Sequence, residues 1–75
     1  MRVWVRYFAF LKEERGMEEE EVFTKTSISV GQLFEHLFHR EATSIRFAVN
    51  QVYVSAETLL SEGDEVVFLP PFGGG

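Results

Sequence analysis

The chain has no cysteine. That one absence excludes disulfides, thiolate zinc sites, iron–sulfur clusters and a cysteine nucleophile together. Small secreted domains usually rely on disulfides, so it also points to the cytoplasm. Basic residues are few, 7 Lys and Arg against 12 Asp and Glu, and the net charge is −5. Nucleic acid is thereby excluded as the main partner, because phosphate binding needs a basic face. No apolar run approaches the roughly 20 residues of a membrane span, and the opening Met1–Arg6 reads as a strand rather than a leader. No glycine-rich loop precedes a helix and no phosphate-binding lysine motif is present, so the chain carries no ATP site of its own. With 75 residues it is one small domain, and a domain of that size has little room for a deep pocket. A stand-alone enzyme is a poor fit, since no nucleophile–base arrangement is apparent.

Apolar content is not lacking. Leu, Ile, Val and Phe number 25 of the 75 residues, well above the roughly 20% below which chains stay disordered. Residues 2–8 alternate, with Val3, Val5 and Tyr7 on one side and Arg2, Trp4, Arg6 and Phe8 on the other. Period two with β-branched and aromatic residues predicts a strand. Ala9–Arg15 predicts one or two helical turns closed by Gly16. The run Glu18–Glu21 before Val22-Phe23-Thr24 predicts a short edge strand, its charges solvated and discouraging stray pairing. Ser29 and Gln32 have capping-box spacing, with Ile28 and Leu33 placed as a hydrophobic staple. Val30, Leu33, Phe34, Leu37 and Phe38 then form one apolar stripe of a helix ending near Arg40 or Glu41. His36 and His39 lie on its polar face beside Glu35. With no further ligand in sight they read as solvated surface, and no metal site is expected. Arg46–Asn50 and Val52–Val54 predict two strands about an Asn50-Gln51 turn. The 55–60 loop is anchored by two buried leucines, and Glu65–Leu69 predicts a central strand ended by Pro70-Pro71. The expected fold is α+β: a mixed five-stranded sheet on one main helix, with the first strand beside the last in the middle and one sheet face open.

Two features carry chemistry. The first is the tail. Residues 1–71 read as the domain and 72–75 as a flexible glycine tail, because three glycines have much backbone entropy to lose on ordering. A chain without side chains can thread a narrow channel and deliver the carboxylate of Gly75 to a buried site, with Phe72, Gly73 and Gly74 as the threading segment. A carboxylate must first be activated, for instance by adenylation, and a partner enzyme must supply that step. The second feature is the open sheet face. Val52 and Val54 inward place Tyr53 outward, and Val66 and Phe68 inward place Val67 and Leu69 outward. Trp4, Phe8, Tyr53, Val67 and Leu69 then form an apolar patch rimmed by Arg6. Such a patch marks a partner surface.

Val5–Glu13, Ser29–Leu33, Ala48–Val54, Leu60–Val66 and Phe68–Gly75, in this order, resemble the small subunits of molybdopterin synthase, within the family of ubiquitin-like sulfur carriers. The resemblance covers nearly the whole chain. It implies a β-grasp fold and a carrier role. An adenylyltransferase related to ubiquitin-activating enzymes would use ATP to form an acyl-adenylate at Gly75, and a sulfur donor enzyme would convert it to a thiocarboxylate. The large synthase subunit, in a heterotetramer of two small and two large chains, would take in the tail. The sulfur would go to precursor Z, cyclic pyranopterin monophosphate, for molybdenum cofactor biosynthesis. No cofactor bound by this chain itself is implied. Sulfur delivery to thiamine or tRNA, and a ubiquitin-like modifier joined to protein lysines, use the same activated glycine and remain open.

Overall fold

A computed structural model of the chain describes residues 1–25 and 27–70. Its elements run β1 (Arg2–Tyr7), α1 (Ala9–Arg15), β2 (Glu19–Phe23), α2 (Val30–Phe38), β3 (Arg46–Val49), β4 (Val52–Val54) and β5 (Glu65–Leu69). The five strands form one sheet in the order β2-β1-β5-β3-β4. β1 and β5 pair in parallel, and every other neighbouring pair is antiparallel. The sheet is therefore mixed, with the first and last strands adjacent as expected. Among the described residues no helix is long and apolar enough to cross a membrane. The domain–tail boundary at 71/72, and the tail residues Phe72, Gly73, Gly74 and Gly75, lie outside the described residues.

α2 starts where its cap dictates. The Gln32 N–H donates to Ser29 Oγ at 3.1 Å, and the Ser29 N–H donates back to Gln32 Oε1 at 2.8 Å. Two further N-terminal amides are satisfied by the 55–60 loop: Val30 donates to the Thr58 carbonyl and Gly31 to the Ala56 carbonyl, both at 2.9 Å. That close approach requires glycine at 31. A Cβ there would stand 2.9 Å from both the Cβ and the carbonyl oxygen of Ala56, too near for either without a shift in the loop. The helix ends at Phe38, two or three residues before the expected stop. His39 takes a left-handed φ of 59° and its N–H donates to the Glu35 carbonyl, closing the last turn.

The core is aromatic at its centre. Phe34 of α2 stacks on Phe38 at 4.6 Å between ring centroids and meets Phe68 of β5 edge-on at 5.2 Å. Phe47 of β3 and Tyr7 of β1 complete the cluster around Phe68, at 5.7 and 6.1 Å. Val3, Val5, Leu11, Val30, Leu33 and Val66 fill the rest, all fully buried. Two apolar expectations fail at the margins. Leu59 is 63% exposed while its neighbour Leu60 is buried, because the loop meets Ser29 in a single bridge at Leu59 and turns only Leu60 underneath. Val52 is 61% exposed. It opens β4 on the sheet edge, whereas Val54 on the same strand packs against the core.

The glutamate run also departs from a uniformly solvated edge. β2 is an edge strand, but it begins at Glu19, and Glu20 points to the helix side because it pairs with buried Val5. Glu20 Oε2 accepts from the Tyr7 hydroxyl at 2.5 Å and from Arg15 Nη2 at 2.6 Å. Arg15 Nη1 reaches on to the Leu37 carbonyl at 3.3 Å. Burial, and then the hydrogen bond to the Glu20 carboxylate, raise the Tyr7 pKa well above its ordinary value. Ionisation at Tyr7 is thus resisted in the folded protein and free in the unfolded one. Its contribution to stability is whole below about pH 10 and falls as pH rises beyond it, by about 1.4 kcal/mol per pH unit until the folded-state pKa is reached. Urea denaturation at pH 9 and 11 should therefore show a larger loss for the wild-type chain than for Tyr7→Phe. Equal losses would mean the hydroxyl is not protected.

Candidate functional site

Strand alternation leaves one face of the sheet without a covering element among the described residues. On β1 the side chains of Val3, Val5 and Tyr7 are buried, and those of Arg2, Trp4 and Arg6 are exposed on the other face. Phe8 continues the alternation in extended backbone as the N-cap of α1. On β5, Val66 and Phe68 are buried, so Val67 and Leu69 face outward, each half-buried. The register aligns these positions across four strands. Arg6 lies beside Val67, Val67 beside Ala48, and Ala48 beside Tyr53. With neighbouring strands about 4.8 Å apart, this row spans about 14 Å.

All six residues expected on the open face are found there. Trp4 is 38% exposed, Phe8 45% and Tyr53 61%. Arg6 is placed differently from the expectation. It does not rim the patch but stands within it, after Trp4 on β1, before Phe8 at the cap of α1 and beside Val67, with its Nε 3.6 Å from Glu19 Oε2. The reason is the order of strands: β1 is second from the edge, so β2 and its glutamates form the rim.

Three residues that belong to this face escape a reading based on hydrophobicity alone. Ala48 forms its floor, 8% exposed, and Arg46 lies beside Leu69. Glu65 opens β5 on the same face, beside Trp4. Alternation with buried Phe47 is the signal that places Arg46 and Ala48 outward, once the strand partner is known. Phe10 and Phe23 are also exposed, on α1 and on the far edge strand. His36 lines an open groove with Phe23, Thr24, Lys25 and Ile28, and His39 caps α2. Both histidines are exposed, and no group of three or more potential metal ligands occurs among the described residues.

A face of this kind offers a surface for binding. Its aromatic rings and aliphatic side chains offer area to bury, and its charges offer direction. It adjoins the end of β5, where the chain passes into Pro70-Pro71-Phe72-Gly73-Gly74-Gly75.

Residues 5–75 match the model of the ThiS family. The molybdopterin synthase sulfur carrier subunit of Mycobacterium tuberculosis is 32% identical over 82 residues, covering 100% of this chain and 99% of that protein. Among solved structures, small archaeal modifier protein 1 of Haloferax volcanii superposes with a TM-score of 0.82 at 19% identity, over 95% of this chain and 98% of that one. A chain from the protein–protein complex of subunits 1 and 2 of molybdopterin-converting factor from Helicobacter pylori superposes with a TM-score of 0.67 at 26% identity, with both chains fully covered.

Proposed function

The chain belongs to the ThiS family, and from that premise we propose that it is a sulfur carrier acting as the small subunit of a molybdopterin synthase. The observation that carries this reading is its similarity, along its whole length, to a molybdopterin synthase sulfur carrier subunit. Two features support it. The uncovered face of Trp4, Arg6, Phe8, Tyr53, Val67 and Leu69 is of a kind that docks a protein. The neighbour from Helicobacter pylori comes from a complex of two subunits of molybdopterin-converting factor.

The chemistry follows from the electrophilicity of a carboxylate, which is too low for direct attack. A partner adenylyltransferase joins the Gly75 carboxylate to AMP from ATP and releases pyrophosphate. A sulfur donor then displaces AMP and leaves a thiocarboxylate. The chain contributes presentation: a rigid domain to grip, and Phe72, Gly73 and Gly74 as a slim lead for the reactive group. The large synthase subunit takes in that lead, and the sulfur passes to precursor Z. This chain is then the sulfur-donating, non-catalytic member of a transferase complex and binds no cofactor itself.

Intact mass spectrometry after incubation with ATP, the activating enzyme and a sulfur source tests the reading. A gain equal to the oxygen-to-sulfur difference is expected, and no gain under conditions that charge a known carrier would count against it. Stable pairing with a thiazole synthase instead of a large synthase subunit would move the assignment to thiamine. An isopeptide-linked product would move it to protein modification. The interface can be probed separately. Phe8→Asp places a charge on the apolar patch and should weaken large-subunit binding by about 1–3 kcal/mol. Calorimetry showing undiminished affinity would remove Phe8 from the interface.

A further inference from the structure

The chain has five arginines, and four are engaged internally. Arg2 pairs with Glu21 and Glu62, Arg6 with Glu19, Arg15 with Glu20 and Arg40 with Glu14. Arg46 makes no ion pair among the described residues. It is exposed and pairs in register with Leu69, the last residue of β5, so it stands where the chain leaves the sheet towards Gly75. At the other end of the same strand is Glu65, half-buried beside Trp4 and likewise without an ion pair among the described residues. Four residue steps of strand lead from Glu65 to Leu69, about 13 Å. The open face thus has a carboxylate at one end and a guanidinium at the other, with Val67, Ala48 and Tyr53 between them.

That arrangement meets a need the apolar patch cannot. Hydrophobic burial is non-directional, so Trp4, Phe8, Tyr53, Val67 and Leu69 allow docking in more than one rotation. A tail that must enter one opening allows only one. Charges fix the rotation, because the wrong one sets like charges face to face.

Resting on the reading above, that this face docks the subunit receiving the tail, we propose that Arg46 sets the orientation of docking. It pairs with a carboxylate of the partner beside the opening that receives the tail, while Glu65 faces a cation about 13 Å away. Arginine suits this role through its planar fork, which matches a carboxylate with two hydrogen bonds. On a chain of net charge −5, an outward guanidinium without an ion pair among the described residues also attracts an acidic partner group locally against the sign of the whole.

The test is the affinity of the intact chain for the large synthase subunit of the same organism, measured for three variants and the wild type. Arg46→Glu should bind at least tenfold more weakly. Arg46→Lys, which keeps the charge, should bind within about threefold of wild type. Lys25→Glu is the control. Lys25 is exposed beyond the far edge strand β2, and this change alters the net charge by the same amount, so affinity should stay within about twofold, as for a charge off the interface. Thermal melts confirm that each variant is folded. Unchanged binding by Arg46→Glu overturns the assignment of Arg46 alone. Equal losses in Arg46→Glu and Lys25→Glu overturn it in favour of overall charge. No binding by the wild-type chain overturns the docking reading and Arg46 with it.

Discussion

Deletion of Gly75 should abolish thiocarboxylate formation and leave the melting temperature unchanged. On the proposed reading, the reacting carbon is the carbonyl carbon of Gly75, and it must be brought to a nucleotide held by another protein. Removing one residue withdraws the carboxylate by about 3.5 Å along an extended chain. A misplacement of about 1 Å from the reacting geometry can already cost about a hundredfold in rate, so a full residue should leave no measurable product. Adding an alanine after Gly75 should fail equally, because it displaces the carboxylate in the other direction and adds a side chain. Neither change alters a core residue. Every residue of the core cluster lies between Val3 and Phe68, and substitutions away from the core usually alter stability by less than about 0.5 kcal/mol. Intact mass after the charging reaction reads the first effect and a thermal melt the second. Charging of the shortened chain at a rate near wild type would show that Gly75 is not the activated residue.

Phe34→Ala should have the opposite signature, a large loss of stability. The Phe34 ring is fully buried and meets three others, at 4.6 Å from Phe38, 5.2 Å from Phe68 and 6.4 Å from Phe47. The Arg40 guanidinium lies 5.8 Å from its centroid on the outer side. Truncating a buried phenylalanine costs about 3–5 kcal/mol through lost transfer energy and the cavity left behind. At about 0.05–0.15 kcal/mol per residue, a chain of this length has a total stability of about 4–11 kcal/mol. The variant should therefore lose between about a quarter and all of its stability, with a urea midpoint lowered in proportion. Phe34→Leu keeps most of the volume and should cost about 1.5 kcal/mol or less. A loss below about 1 kcal/mol for the alanine variant would mean that helix and sheet are joined mainly elsewhere.

Sequence periodicity disclosed much of the fold because two rhythms are unusually clean here. The capped stripe of α2 and the alternation of β1 each name a buried face without help from distant residues. The bounds of α1, β4 and β5 agree with expectation for the same reason, being set by Gly16, by the Asn50-Gln51 turn and by Pro70. Those two turn residues both take positive φ, 51° and 70°, which suits a tight hairpin connection. Disagreement begins where the deciding partner is remote. In a run of four glutamates no local signal distinguishes Glu20; only the pairing of β2 with β1 turns it towards Arg15 and Tyr7. Leu59 and Leu60 are equivalent by composition, and the bridge to Ser29 separates them. The end of α2 was hidden because a histidine, not a glycine, takes the left-handed cap. At the candidate site the outward residues follow from alternation, whereas the central position of Arg6 follows from the strand order. That Arg46 has no ion pair among the described residues could be seen only after the ion pairs of the other four arginines were known.

The parallel pairing of β1 with β5 has a consequence for how the protein is made. The strand that completes the middle of the sheet is the last one to be synthesised, and until it arrives β1 lacks its central neighbour and Phe34 lacks Phe68. A nascent or truncated chain that stops short of β5 has α2 but lacks the Phe68 against which Phe34 and Phe38 pack. Pairing between segments so far apart in sequence is slow to form, because loop closure must precede the reward. It also ties the open face to completion of the sheet: Arg6 stands beside Val67, and Trp4 beside Glu65, only where β1 and β5 have paired. On the proposed reading, an enzyme that grips the open face before acting at Gly75 would meet a complete face only on molecules in which β1 and β5 have paired.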